Sequence, residues 1–296
     1  VLPFSTGVIG ERLPVDHIRT GIVSAVNDLR LDGWVRAAWA IMTTDTVPKL
    51  VSQTIDTADG PFTITGIAKG VGMIRPNMAT MLAFVATDAP VAHAPLRHAL
   101  AHAVDHSFHR ITVDGDTSTN DACVLMATGL ADIPAINDIQ TENYQAFQQG
   151  VTQVCETLAR AMIRDGEGAT KFITVEVQGG KTKAECDQVA FAIAHSPLVK
   201  TAFFAADPNW GRLLAAVGRA GLSDLDITNV RISLGDVCIV ASGMRAEEYT
   251  EEQGQRAMRA SDITVRVELG RGIEDTVVWT CDLSYEYVRI NAEYRT

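Results

Sequence analysis

Three features of the sequence predict an α/β fold. Helical and strand-like hydrophobic patterns alternate along its whole length. Hydrophobic residues make up 47% and charged residues 21% of the 296, the balance of a globular chain long enough for one large or two medium domains. No repeat or low-complexity tract interrupts the alternation, and no apolar run approaches the roughly 20 residues of a membrane-spanning helix.

Ile18, Ile22, Val26 and Leu29 share one face of a first helix. Phe62 and Ile64, running to Gly66, alternate like a strand. Met81–Ala86 is a continuous apolar run, which predicts a strand buried on both faces. Leu96, Ala99, Leu100, Ala103, Ser107 and Phe108 give the stripe of the next helix, with His98, His102, His106 and His109 on its solvated side. Histidines four apart can hold a metal, but no cysteine or carboxylate cluster completes a shell, so no metal is expected. Tyr144, Phe147, Val151, Val154, Leu158 and Met162 mark a long amphipathic helix that ends at Asp165-Gly166, and Phe172–Val177 resumes as a strand. Leu234-Gly235-Asp236 joins two alternating runs as a hairpin. A helix over Glu247–Ala260 and strands near Ile263–Leu269 and Thr276–Cys281 complete the order, with a loop between lobes near Ala194–Pro197.

The net charge of −11 argues against a nucleic-acid partner. Five widely spaced cysteines without a CxxC read as reduced thiols of a cytoplasmic protein. No basic-then-apolar leader is present, and no membrane association is expected.

The informative stretch is Lys69-Gly70-Val71-Gly72-Met73-Ile74-Arg75-Pro76-Asn77-Met78-Ala79-Thr80-Met81-Leu82. A glycine-rich loop runs through a proline into the buried strand, and Thr80 stands at the junction. A threonine there can be a plain β-former. Its hydroxyl can also attack the carbonyl just before it. An N-to-O acyl shift and hydrolysis would then cut Ala79–Thr80, leaving a nucleophile and a free α-amine of pKa near 8 on one residue.

This segment resembles the processing site of the ornithine acetyltransferase family, the bifunctional glutamate N-acetyltransferases. The resemblance covers essentially the whole chain. It is carried further by Ser5–Gly10, Thr43–Lys49, Asp114–Asp121, Asp165–Lys171, Asp207–Arg212 and Tyr287–Thr296, in that order. It implies a layered α-β-β-α-like architecture similar to N-terminal-nucleophile enzymes, with its own topology. It implies cleavage between Ala79 and Thr80, Thr80 as nucleophile, and Thr6 and Gly7 as the oxyanion hole. Thr46, Lys69, Glu167, Asn291 and Thr296, with Thr80 itself, match the substrate-binding positions.

The residue types suit those roles. A hydroxyl and a backbone N–H can both donate to a developing oxyanion. Lys69 offers charge to an α-carboxylate, Thr46, Asn291 and Thr296 offer neutral hydrogen bonds, and Glu167 can pair with the side-chain ammonium of ornithine. Taken singly, Lys69 and Glu167 also read as solvated charges beside glycine loops.

The expected activity is acetyl transfer from N2-acetylornithine to glutamate through an acetyl-threonine, in arginine biosynthesis. No cofactor is implied, and acetyl-CoA as an additional donor is left open. Residues 1–79 would be the C-terminal part of an alpha piece whose upstream portion lies outside this chain. Residues 80–296 would be a beta piece with a second, smaller α/β lobe after about residue 197, and Thr296 falls where the family ends. Two alpha and two beta pieces are expected to assemble. A threonine hydrolase and a non-catalytic amino-acid-binding protein are the rival readings.

Overall fold

The computed structural model describes residues 2, 4–75 and 81–294. Among these, ten strands form two sheets. The first sheet holds β1 (Lys49–Thr57), β2 (Gly60–Lys69), β3 (Leu82–Thr87) and β4 (Ala122–Ala127) in sequence order. β1–β2 and β2–β3 are antiparallel and β3–β4 is parallel. The parallel step needs a crossover, which α3 (His93–His106) supplies.

The face of this sheet is covered by α4 (Glu142–Arg164), whose N-cap Thr141 accepts from the Tyr144 N–H. All six residues of its predicted stripe are buried, with Phe147 fully enclosed and in ring contact with Phe62. Gly150 lets the helix lie close, because a Cβ there would come within 2.9 Å of Ile55 and Ile64 methyl carbons. On β3, Ala83 and Val85 are buried while Phe84 and Ala86 are half-buried, so the strand is not wholly enclosed on its second face. Phe4 packs edge-on against Phe84 there, ring centroids 5.4 Å apart.

The second sheet orders β5 (Phe172–Gly180), β6 (Arg231–Leu234), β7 (Val237–Ala241), β8 (Met244–Arg245), β9 (Asp262–Glu268) and β10 (Glu274–Cys281) as β10-β5-β9-β6-β7-β8. The predicted hairpin is β6–β7, with Gly235 at a φ of 58°. α5 (Lys183–Ala194), α6 (Pro197–Phe204), α7 (Trp210–Gly218) and α8 (Glu251–Met258) contribute to the core of this half. α9 (Tyr285–Glu293) returns to the first half, where Tyr287 packs. The whole is a mixed α/β, layered fold.

Several expectations are adjusted. α1 (Val15–Asn27) forms where its periodicity indicates, but Ile18, Ile22 and Val26 are exposed, as is Leu29 just beyond it, because no described element packs on that face. α2 (Trp34–Ala40) follows and touches β1 and β2. The histidine face of α3 is not simply solvated: His98 Nδ1 lies 2.5 Å from the Tyr144 hydroxyl and His102 Nδ1 3.3 Å from Thr152 Oγ1, so both sit in the α3–α4 seam. α8 starts at Glu251 rather than Glu247 because Thr250 and Gln253 form a reciprocal capping box. The segment at 194–197 joins α5 to α6 within one core, and the change of sheet falls earlier, between β4 and β5 across α4. The second sheet has six strands against four.

Phe147 is the test of the α4 interface. Phe147→Ala should lower stability by about 3–5 kcal/mol, read from the urea midpoint at unchanged slope.

Candidate active site

β2 ends at Lys69, and the chain turns at once through Gly70 (φ 128°) to Gly72 and Met73 (φ 53°). A Cβ on Gly72 would overlap the Glu167 carboxylate, so only glycine allows that carboxylate to approach the loop. The turn is held by side chains from distant segments. Asp114 accepts the Met73 N–H at 2.6 Å and the Ile74 N–H at 3.0 Å, and the Tyr287 hydroxyl on α9 donates to the same carboxylate at 3.3 Å. The Glu167 N–H donates to the Val71 carbonyl at 2.8 Å.

Below this loop lies a buried charge cluster. Asp45 accepts the Gly70 N–H at 3.0 Å, the Thr43 N–H at 3.1 Å and Lys49 Nζ at 2.6 Å. Lys49 also donates to Asp165, which closes α4 and accepts the Thr46 N–H at 2.9 Å and the Thr46 hydroxyl. Burial pushes the Asp45 carboxyl upward, but the Gly70 N–H, Lys49 and the Thr43 N–H outweigh it and hold the pKa below its ordinary value.

Lys69 lies above this cluster, 4% exposed, with Nζ 3.1 Å from the Thr43 hydroxyl. Burial draws its pKa downward against the charges of Asp45, Asp121 and Glu167. Among the described residues no carboxylate reaches salt-bridge distance of it. Glu167 is 7% exposed and accepts Asn291 Nδ2 at 2.7 Å, which fixes that amide through the α9 backbone as well.

These groups line one open cleft. It brings together Thr6, Gly7, Lys69, Glu167 and Asn291, five of the residues singled out from sequence. Phe4 fastens the Thr6–Gly7 segment to β3, while the Gly7 N–H donates to Ser5 Oγ at 3.2 Å. Thr46 is not part of the lining, its hydroxyl being taken by Asp165. Ala79, Thr80 and Thr296 lie outside the described residues.

Sequence reasoning missed Thr43, Ser118 and Asn120 as lining residues, and Asp45, Asp114 and Asp165 as the clamps. All six stand inside the motifs quoted above, but only contacts 25 or more positions apart reveal what the clamps do. No group of three or more His, Cys, Asp or Glu side chains that could hold a metal occurs among the described residues.

The ArgJ family model matches residues 1–296. The "Arginine biosynthesis bifunctional protein ArgJ" of Pseudomonas syringae pv. tomato is 56% identical over 297 residues, covering 100% of this chain and 73% of that protein. The protein of the same name from Methylococcus capsulatus is 59% identical over 296 residues, covering 100% and 72%. A crystal structure of the arginine biosynthesis bifunctional protein argJ from Bacillus halodurans superposes with a TM-score of 0.69 at 41% identity, covering 73% of this chain and 100% of that one.

The charge cluster predicts its own failure. Lys49→Met leaves Asp45 and Asp165 facing each other without a cation. It should cost about 3–5 kcal/mol in urea denaturation, with part of the loss recovered at low pH as the carboxyls protonate.

Proposed function

The chain belongs to the ArgJ family, and from that premise we propose that it is an acetyltransferase of arginine biosynthesis that moves an acetyl group from N2-acetylornithine to glutamate through Thr80. The observation that carries this reading is the cleft itself. It places a buried cation with no carboxylate partner among the described residues, Lys69, and a buried carboxylate, Glu167, in one cavity beside Thr6 and Gly7. N-acetylornithine carries the complementary set: an α-carboxylate for Lys69, a side-chain ammonium for Glu167, and an acetyl carbonyl for the Thr6–Gly7 donors.

In the proposed reaction the chain first cuts itself between Ala79 and Thr80. The strand order supports a cut that leaves both pieces together. β2 precedes the cut and β3 follows it, yet they pair from Ile64↔Thr87 to Lys69↔Leu82. The Bacillus halodurans chain is covered completely while covering 73% of this one, a share equal to that of residues 80–296, which is consistent with a piece beginning at Thr80.

The freed α-amine of Thr80 then takes the proton of its hydroxyl, and Oγ attacks the acetyl carbon. The oxyanion is met by the Thr6 hydroxyl and the Gly7 N–H, the latter exchanging its Ser5 contact for the substrate. Ornithine leaves with the proton, and an acetyl ester remains on Thr80. Glutamate enters with its α-carboxylate at Lys69, and its amine attacks the ester. Thr46, positioned through Asp165, acts by holding the Thr43–Lys49 loop, and Thr296 completes the substrate contacts. The working assembly is two alpha and two beta pieces in the cytoplasm. No helix of the described residues is long and apolar enough to cross a membrane. Acetyl-CoA serves as a co-substrate only if glutamate is acetylated with it as sole donor.

Intact-mass analysis should show a break before Thr80 that Thr80→Ala abolishes. Rapid quench with N-acetylornithine alone should place one acetyl group on the peptide beginning at Thr80. An uncut, unacetylated wild-type chain, or acetate release that added glutamate does not intercept, would count against the reading. Thr6→Ala should reduce turnover by about 100- to 1000-fold with a much smaller change in substrate binding.

A further inference from the structure

Thr43 and Thr46 lie in one short loop, and the direction of their hydrogen bonds separates them. Thr46 gives its hydroxyl proton to Asp165, because a carboxylate can only accept. Its N–H goes to the same carboxylate at 2.9 Å. The Thr46 hydroxyl has no proton left to offer, and the residue does not line the cleft.

Thr43 is the reverse case. Its hydroxyl lies 3.1 Å from Lys69 Nζ, and that bond has only one possible sense. An ammonium carries three protons and no lone pair, so Lys69 donates and Thr43 Oγ1 accepts. The hydroxyl proton of Thr43 is left over. Among the described residues no acceptor takes it, and Thr43 is an exposed member of the cleft lining. Lys69 Nζ makes no other hydrogen bond among the described residues, so it too has protons to give.

One carboxylate keeps these two donors in register. Asp45 accepts the Thr43 N–H at 3.1 Å and, at 3.0 Å, the N–H of Gly70, the residue after Lys69. Lys49 pins Asp45 in turn, with Nζ 2.6 Å from the carboxylate and both side chains enclosed. The backbone on which each donor stands is therefore fixed to the same buried ion pair before any ligand arrives. Donor atoms 3.1 Å apart suit a planar carboxylate, which can accept from both at once.

Resting on the reading that Lys69 receives the α-carboxylate of the substrate, we propose that Thr43 is the second donor of that seat. Its oxygen holds Lys69 by accepting from Nζ, and its proton goes to the carboxylate. The neutral hydrogen bond that the family resemblance gives to Thr46 falls to Thr43, while Thr46 supports the loop through Asp165. The seat takes the α-carboxylates of ornithine, N-acetylornithine and glutamate alike, since the three share that group and differ at the other end. Burial draws the Lys69 pKa downward, and a carboxylate bound there favours the charged form and offsets that effect.

The test measures binding, so it does not depend on turnover. Ornithine and ornithinamide, its α-carboxamide, are titrated calorimetrically into the full chain and its variants. Wild type should prefer the carboxylate. Thr43→Val keeps the shape and removes the hydroxyl, and the preference should fall by about tenfold or more, the worth of a hydrogen bond to a charged group. Thr43→Ser should restore the preference. Thr46→Val should lower the urea midpoint and leave the preference standing. A crystal structure of the ornithine complex should place carboxylate oxygens within about 3 Å of both Lys69 Nζ and Thr43 Oγ1. A wild-type preference in folded Thr43→Val, a loss of preference in Thr46→Val instead, or a bound carboxylate out of reach of Thr43 Oγ1 overturns the proposal. A wild-type chain that binds ornithine no better than ornithinamide overturns the reading beneath it, which seats the carboxylate at Lys69.

Discussion

The site depends on one buried cation. Lys49 sits between Asp45 and Asp165 with its side chain 1% exposed, and each carboxylate carries a different part of the cleft. Asp45 holds the Gly70 N–H and therefore the turn that follows Lys69. Asp165 holds Thr46 and Val47 and closes α4, so it fixes where Glu167 begins its approach to Gly72. Taking three charges out of water is expensive, and a hydrophobic cluster of similar size would give comparable stability. The ions give direction instead: each oxygen chooses a particular N–H, so three loops far apart in sequence meet in one register.

The second constraint is the pairing of β2 with β3. It joins the strand that ends in Lys69 to the strand that begins after Thr80, with α4 packed across the sheet. The loop between them is thus anchored at both ends by elements of the same core. Asp114 and Tyr287 tie its first half to α9, which also carries Asn291.

Much of this was legible in the sequence where local chemistry decides the outcome. The α4 stripe, the β6–β7 hairpin and the alternation of strands and helices follow from period and turn residues alone. The boundary of α8 was legible only in retrospect, through the Thr250–Gln253 pair. The apolar face of α1 signals burial, yet periodicity reports that a face is apolar, not what covers it. Among site residues, Thr6, Gly7, Lys69, Glu167 and Asn291 were found by motif and meet in the cleft. Asp45, Asp114 and Asp165 went without roles because an aspartate beside a glycine reads as turn chemistry. Their function lies in contacts across 25 to 119 positions, which no local pattern encodes.

Two buried titrating groups show how the fold divides its tolerance for unpaired polarity. His195 Nε2 lies 3.1 Å from the Thr112 hydroxyl, and burial lowers its pKa to about 4. Its folded pKa is depressed, so its contribution to stability is complete above the unfolded value of 6.5 and is lost as pH falls through 4. Asp121 has the opposite sign. Its folded pKa of about 7 is raised, so the stability it lends is complete below 3.8 and is lost as pH rises through 7. Near neutrality the histidine therefore costs nothing, while the aspartate has surrendered most of its contribution. A core selected for stability alone would pair that carboxylate or replace it, as the fold pairs Asp282 with the Thr170 and Lys171 N–H groups. Among the described residues Asp121 is the carboxylate with both oxygens buried and outside full hydrogen-bond geometry, the Met81 N–H being its near neighbour.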